Sequence, residues 1–109
     1  KEMQGDGNLV IKAQGGKEID PDMMIKAKHS FDYLTTKTGR IIHIDNKIMN
    51  KIARVSGAPI DKKAGIYLYI HKGKKVISGQ TLFTIYADNK EKLEFSKEIA
   101  LKNCGVEIN

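Results

Sequence analysis

Hydrophobic residues recur with a helical period in the middle of the chain. Between Asp45 and Gly57 the apolar positions are Ile48, Ile52 and Val55, with Met49 and Ala53 beside them. The spacing i, i+4, i+7 places these side chains on one face of a helix. Asp45 or Asn46 can accept the first free amide groups, and Gly57 suits the residue after the last turn. The pattern predicts an amphipathic helix over residues 47–56.

Two more segments have helical signals at their ends. Asp88 or Asn89 can cap a helix that continues through Cys104 and ends at Gly105. Its inward-facing candidates are Leu93, Ala100, Leu101 and Cys104. Near the start of the chain, Asn8–Gln14 precedes Gly15 and Gly16, which predicts a short helix ended by glycine.

The remaining hydrophobic segments have the pattern of strands. Residues 28–36 alternate and are rich in aromatic and β-branched residues. A turn at Thr38 and Gly39 leads to a returning strand over residues 40–44. Further strands are predicted over 65–71 and 81–87, joined by a turn that Gly73 and Gly79 bracket and that contains Val76.

The order of these elements predicts the fold class. A chain of 109 residues forms one domain with a modest core. Strands and helices do not alternate regularly, which disfavours a doubly wound parallel sheet. We expect an α+β fold, specifically a compact, mainly antiparallel domain of the α/β-hammerhead or barrel-sandwich-like type with two main helices.

Charge and cysteine content narrow the function classes. The net charge is +6, but almost all basic residues are lysine, with arginine only at Arg40 and Arg54. Nucleic-acid readers usually combine arginine with exposed aromatic residues, so a solvated lysine-rich surface is favoured over an RNA-binding module. A single cysteine excludes an internal disulfide and favours a cytoplasmic location. The longest apolar run, Ile66–Ile70, is too short to span a membrane.

The chain has no evident catalytic or metal-binding constellation. His29, His43 and His71 lie in or beside predicted strands, without the spacing to other ligands that metal binding requires. Cys104 could act as a nucleophile only with a lowered pKa, for which the nearby Lys102 is weak support; a small buried apolar role is favoured. We therefore predict no catalytic, cofactor-binding or metal-binding residue in this chain.

One turn signature is shared with biotinyl and lipoyl carrier domains. Gly73, Val76, Gly79 and Leu82 have the spacing Gly-x-x-Val-x-x-Gly-x-x-Leu. A carrier displays its modified lysine at a hairpin tip, whereas the strand over 81–87 leads directly into a predicted helix that contains Lys90. The signature therefore indicates a related barrel, and Lys90 is predicted to be a helical surface residue.

Several tripeptides resemble one enzyme family. They are Asp45-Asn46-Lys47, Ile52-Ala53-Arg54, Gly57-Ala58-Pro59, the run Asp61–Leu68, and Thr84-Ile85-Tyr86-Ala87, with Gln14-Gly15-Gly16 upstream. Together they resemble the C-terminal domain of thymidine and pyrimidine-nucleoside phosphorylases, in particular the archaeal AMP phosphorylase branch. The resemblance extends from about Thr35 to Ala100, roughly two thirds of the chain.

The resemblance implies a function for the parent enzyme. Such enzymes cleave the N-glycosidic bond of a nucleoside or nucleotide with inorganic phosphate as co-substrate, without another cofactor, and release the base and a sugar 1-phosphate. Their substrate sites lie in preceding domains, so the fragment alone is expected to be inactive. It would support the large lobe, cleft closure or oligomer assembly.

The resemblance also implies partners and a domain division. The partners would be the remaining domains of the parent chain in a homo-oligomer, and neither nucleic acid nor membrane is expected. Because the chain starts at Lys1 rather than Met, we expect an excised piece. Residues 1–26 would be a remnant of the preceding segment, with a short helix and loop, and residues 27–109 the phosphorylase C-terminal domain. Alternatives are a biotinyl- or lipoyl-like carrier and a basic RNA-binding module.

Overall fold

A computed structural model describes residues 9–11, 27–58, 60 and 63–109. Within these ranges the chain forms seven strands and two helices. They are β1 Leu9–Ile11, β2 His29–Leu34, β3 Gly39–Ile44, α1 Asn46–Ser56, β4 Gly65–Leu68, β5 Lys75–Val76, β6 Thr81–Ala87, α2 Lys90–Lys102 and β7 Val106–Ile108. The strands pair in antiparallel fashion throughout, so the predicted α+β class is confirmed.

The larger sheet has four strands in the order β1-β4-β6-β2. Alternate residues of its central strands face opposite sides, as the pleat of a strand requires. One side is apolar and almost fully buried, with Ile66 and Leu68 from β4 and Phe83 and Ile85 from β6. Both helices pack against this side and complete the hydrophobic core.

Helix α1 confirms the central amphipathic pattern. The Asp45 side chain accepts hydrogen bonds from the amides of Lys47 and Ile48, at 2.9 and 3.3 Å. These bonds satisfy two of the free amides at the start of the helix. The buried residues are Met49, Ile52, Ala53 and Ser56. Ile48 and Val55 are only partly buried, so the inward stripe is rotated slightly from the predicted one.

Helix α2 begins as predicted and ends earlier. Asn89 caps it by accepting from the Lys92 amide at 3.0 Å, and the helix stops at Lys102 rather than at Cys104. Leu93 and Ala100 are buried, as expected. The expectation for Leu101 was wrong, because its side chain is 59% exposed. Each helical residue turns the side chain by about 100°, which moves Leu101 off the stripe that Ala100 occupies.

The predicted hairpin between residues 28–36 and 40–44 does not form. Strand β2 pairs with β6, while β3 joins a second sheet in the order β5-β3-β7. Thr35, at the crossing, donates its amide to the Gln80 carbonyl and accepts from the Gly79 amide, at 2.9 and 2.7 Å. These contacts with the turn after β5 replace the local pairing that a hairpin would supply.

The predicted single turn between Gly73 and Gly79 is instead two turns on either side of β5, the strand that contains Val76. Val76 pairs with Gly39 of β3 and is buried, with 2% of its surface exposed. The Ile77 amide donates to the side-chain oxygen of Gln80 at 3.1 Å, which closes the turn after β5. The predicted strand over 81–87 has the observed bounds of β6, whereas β4 ends at Leu68 rather than residue 71.

The prediction for the start of the chain was wrong where the structure describes it. Leu9–Ile11 is a strand, not part of a helix, and its residues pair with Leu68, Tyr67 and Ile66 of β4. The edge of β4 offers backbone hydrogen bonds to this segment, and the β-branched Val10 and Ile11 suit a strand. These interactions outweigh the local preference for a helix. Gln14, Gly15 and Gly16 lie outside the described residues, and the domain boundary at residue 27 stays a prediction.

Two glycines allow a test of how closely the turn before β7 packs on α1. Gly105 has a φ of +78°, and a Cβ there would lie 3.1 Å from Ile48 side-chain atoms. Gly79 has a φ of +93°, with open space around a Cβ. A left-handed alanine costs about 1–2 kcal/mol, and crowding in a packed region adds about 1–3 kcal/mol.

We therefore predict that Gly105→Ala lowers the free energy of unfolding by about 2–4 kcal/mol and Gly79→Ala by about 1–2 kcal/mol. Urea titration followed by circular dichroism measures both values. Equal losses for the two variants would contradict the close packing of Gly105 on Ile48.

Candidate functional site

The three candidate histidines lie at separate places in the fold. His29 is half-buried in β2, His43 is exposed in β3, and His71 is exposed after β4. A ring nitrogen of His71 lies 2.9 Å from the Lys72 carbonyl oxygen, a local turn contact. Among the described residues, no three His, Cys, Asp or Glu side chains are grouped so that they could hold a metal ion.

Lys90 is the first residue of α2, and its side chain is exposed. The prediction of a helical surface lysine is therefore confirmed. A carrier domain needs its lysine at the tip of a hairpin, and the chain enters this helix directly from β6. The position of Lys90 therefore does not favour the carrier alternative.

Cys104 lines a groove of about 410 Å³ between the end of β2 and β7. The groove is lined by Tyr33, Thr35, Thr36, Lys37, Ile42, Leu82, Cys104, Val106, Glu107 and Ile108. Cys104 is partly buried against the core, and its Sγ lies 3.8 Å from the Val106 carbonyl oxygen. The Cys104 side chain is thus partly exposed rather than buried as predicted. Lys102 is exposed at the end of α2.

Tyr33 forms the inner wall of this groove. Its ring stacks on the ring of Phe83, with 5.0 Å between the centroids and 8° between the planes. Burial and, secondarily, the neighbouring Cys104 thiol raise the pKa of Tyr33 to about 12. The phenol is therefore neutral at physiological pH and acts as a packing residue with a polar tip.

The side of the larger sheet opposite the helices has a different chemistry. We name it the tyrosine face and define it by Asp32, Tyr67, Tyr69, Thr84 and Tyr86. In the strand register Thr84 lies between Asp32 of β2 and Tyr67 of β4. Tyr86 lies one pleat away, opposite Gly65, which contributes no side chain to this face. The three tyrosines are half-buried and Asp32 is exposed.

A chain of hydrogen bonds crosses the tyrosine face. The Thr84 hydroxyl donates to the Asp32 carboxylate at 2.7 Å and lies 3.1 Å from the Tyr69 hydroxyl. The rings of Tyr67 and Tyr69 are 5.2 Å apart, tilted by 33°. Thr84 is only 2% exposed, so its hydroxyl holds the carboxylate from beneath. Charge-assisted bonds of this kind are stronger than neutral ones, and they fix the carboxylate in place.

The same cluster changes the ionisation of Tyr86. Burial is the main cause that raises the pKa of Tyr86 to about 12, and Tyr69, Asp32 and Tyr67 add to it. Burial disfavours the charged phenolate, and the nearby Asp32 adds a smaller effect in the same direction. Tyr86 thus presents a neutral hydroxyl group on this face at neutral pH.

Asp88 has a structural role at the start of α2. Its Oδ1 accepts from the Lys28 amide at 2.9 Å, and its Oδ2 lies 3.5 Å from the Lys63 ammonium. The hydrogen bond from the Lys28 amide, more than the charge of Lys63, holds the pKa of this carboxyl below its usual value. The residue joins the start of β2, the segment before β4 and the end of β6.

Sequence reasoning did not identify the tyrosine face as a unit. Its signal was present in the alternation of Tyr67 and Tyr69 and in Tyr86, but nothing local shows which strands are neighbours. The pairing of β6 with both β2 and β4 brings these residues together.

No helix in the described part of the chain is long and apolar enough to cross a membrane.

Comparison with known proteins identifies the family. Residues 41–107, from β3 to β7, match the family model described as pyrimidine nucleoside phosphorylase C-terminal domain. The chain belongs to this family. The matched range contains every segment quoted above except Gln14-Gly15-Gly16.

Individual relatives agree with this assignment. The chain is 43% identical to the AMP phosphorylase of Methanocaldococcus jannaschii, over 84% of the chain and 18% of that relative. It is 40% identical to the AMP phosphorylase of Thermococcus kodakarensis, over 91% of the chain and 20% of the relative. A putative thymidine phosphorylase of Legionella pneumophila is 34% identical over 83% of the chain and 17% of its own length. The chain thus spans about a fifth of the length of these relatives.

The raised pKa values of two tyrosines predict how the stability of this phosphorylase-family domain changes at alkaline pH. Tyr33 and Tyr86 have folded-state pKa values of about 12, above the ordinary value of 10.0. A raised folded-state pKa means that stability is complete below pH 10 and is lost as the pH rises towards 12, because only the unfolded chain ionises readily.

We expect the urea midpoint to stay level up to about pH 10 and then to fall. Two of the four tyrosines should ionise late in an ultraviolet absorbance titration. Replacing Tyr86 by Phe should remove one late step. A titration in which this variant keeps both late steps would contradict the assignment.

Proposed function

We propose that this chain is the C-terminal domain of a phosphorolytic pentosyltransferase of the AMP phosphorylase type. The observation that supports it most directly is the 43% identity to the AMP phosphorylase of Methanocaldococcus jannaschii over 84% of the chain. The names of the relatives, AMP phosphorylase and putative thymidine phosphorylase, support transfer of a pentosyl group to phosphate by the parent protein, and we propose that it acts in the cytoplasm.

The proposed reaction exchanges one bond at the anomeric carbon of the sugar. An oxygen of inorganic phosphate forms a bond to this carbon while the carbon–nitrogen bond to the base breaks. The base leaves with the bonding electron pair and takes up a proton. With AMP the products are adenine and ribose 1,5-bisphosphate, and phosphate is the co-substrate.

The domain itself would have a supporting role. In the described residues the helices and both sheets share one hydrophobic cluster, which makes a stiff unit. Closure of a cleft positions phosphate against the sugar and excludes water, and a stiff lobe serves this positioning. We propose that the domain stiffens the large lobe of the parent enzyme or supports its assembly into a homo-oligomer.

The first test is the activity of the full-length protein that contains this chain. We expect release of adenine from AMP that requires inorganic phosphate, with formation of an equal amount of ribose 1,5-bisphosphate. Thymidine and uridine serve as alternative substrates in parallel assays. Absence of phosphate-dependent base release from all three would contradict the proposed reaction.

The second test removes the domain. Deletion of residues 27–109 from the full-length protein should lower turnover at least about tenfold or reduce the oligomer size, because misplacement of a lobe weakens catalytic positioning. Light scattering and the base-release assay measure these effects. An unchanged size together with unchanged turnover would exclude the supporting role.

A further inference from the structure

We infer that the tyrosine face is the surface on which the rest of the parent chain docks, and that the docked surface presents an arginine or lysine to Asp32 and the tyrosine rings. This inference rests on the proposed function, which gives the domain a parent chain. It goes beyond that proposal by naming the surface and the chemistry of its partner.

The composition of the face differs from the rest of the chain. Lysine and arginine supply 19 of the 109 residues, yet β2, β4 and β6 contain neither. Helix α1, by contrast, exposes Lys47, Lys51 and Arg54. Interface cores are enriched in tyrosine and depleted in lysine relative to other surfaces. The face therefore has the composition of a contact surface.

The geometry of the face suits a basic side chain. Asp32 is exposed and held by the hydroxyl of the buried Thr84 at 2.7 Å, so the carboxylate is already positioned before a partner arrives. The Tyr67 and Tyr69 rings, 5.2 Å apart, form an aromatic platform beside it. A guanidinium group can stack on an aromatic ring while it pairs with a carboxylate. An ammonium group makes the same two contacts as a point charge.

The tyrosine face lies on the side of the sheet that the two helices leave uncovered, where the rest of the parent chain could dock. The opposite side of the sheet is covered by α1 and α2, whose outward residues are mainly charged. The chain spans only 18% and 20% of the two AMP phosphorylases described above, so in such proteins about four fifths of the chain lies outside this domain. That remainder is large enough to cover one side of a sheet.

The test measures side-chain accessibility in the full-length protein by hydroxyl-radical labelling and mass spectrometry. Phe95 is an internal reference, because it is 59% exposed on α2, away from the tyrosine face. We expect Tyr67 and Tyr86 to be labelled at least about fivefold more slowly than Phe95, since an interface core excludes water. Labelling of these tyrosines at the rate of Phe95 would overturn the inference.

A pair of variants tests the charge of the partner. Asp32→Lys and the control Lys51→Glu each change the charge by two units at an exposed position, one on the tyrosine face and one on α1. Asp32→Lys should raise the labelling of Tyr67 by about fivefold through repulsion of the basic partner, and Lys51→Glu should not. Equal effects of the two variants would overturn the basic-partner assignment.

Two further measurements distinguish docking within one chain from contact with a second copy, and failure of the docking inference from failure of the proposed reaction. Labelling is repeated over a dilution series that dissociates oligomers; protection that disappears on dilution would assign the face to a second copy and overturn docking within one chain. The same samples are assayed for phosphate-dependent base release. Active protein with accessible tyrosines overturns only the docking inference, while inactive protein with protected tyrosines overturns only the proposed reaction and supports the docking surface.

Discussion

The pairing of β6 with neighbours on both sides is the constraint on which the rest of the structure depends. This strand lies between β4 and β2, and its residues alternate between two environments. Phe83 and Ile85 face the helices and are fully buried, each contributing roughly 1.5–3 kcal/mol relative to exposure. Thr84 and Tyr86 face the other way. One strand therefore supports both the hydrophobic core and the tyrosine face.

This two-sided arrangement suits the supporting role that we propose for the domain in a larger enzyme. The helix side gives rigidity, because α1 and α2 bury Met49, Ile52 and Leu93 in the same core as the sheet. The tyrosine face presents polar groups that the Thr84 hydroxyl holds in place through Asp32 and Tyr69. A stiff body with one contact surface can transmit a fixed position to a neighbouring domain, which is the role that we propose.

Local signals predicted several elements because their causes are local. The cap of α1 at Asp45, the cap of α2 at Asn89 and the bounds of β6 each depend on residues within a few positions. Predictions failed where a distant segment decided the outcome. Leu9–Ile11 becomes a strand because β4 offers an edge, and β2 and β3 separate because Thr35 bonds to Gly79 and Gln80. Strand β7 has three residues, too few for a periodic pattern.

The sequence by itself determined the family, the fold class and the two helices, because tripeptides, caps and helical periods are properties of short segments. Only the tertiary structure decided which strands pair, that Leu101 points outward, and that Asp32, Tyr67 and Tyr86 meet on one face. These residues are separated by up to 54 positions along the chain. Their proximity depends on backbone pairing between strands, whose partners a local pattern does not specify.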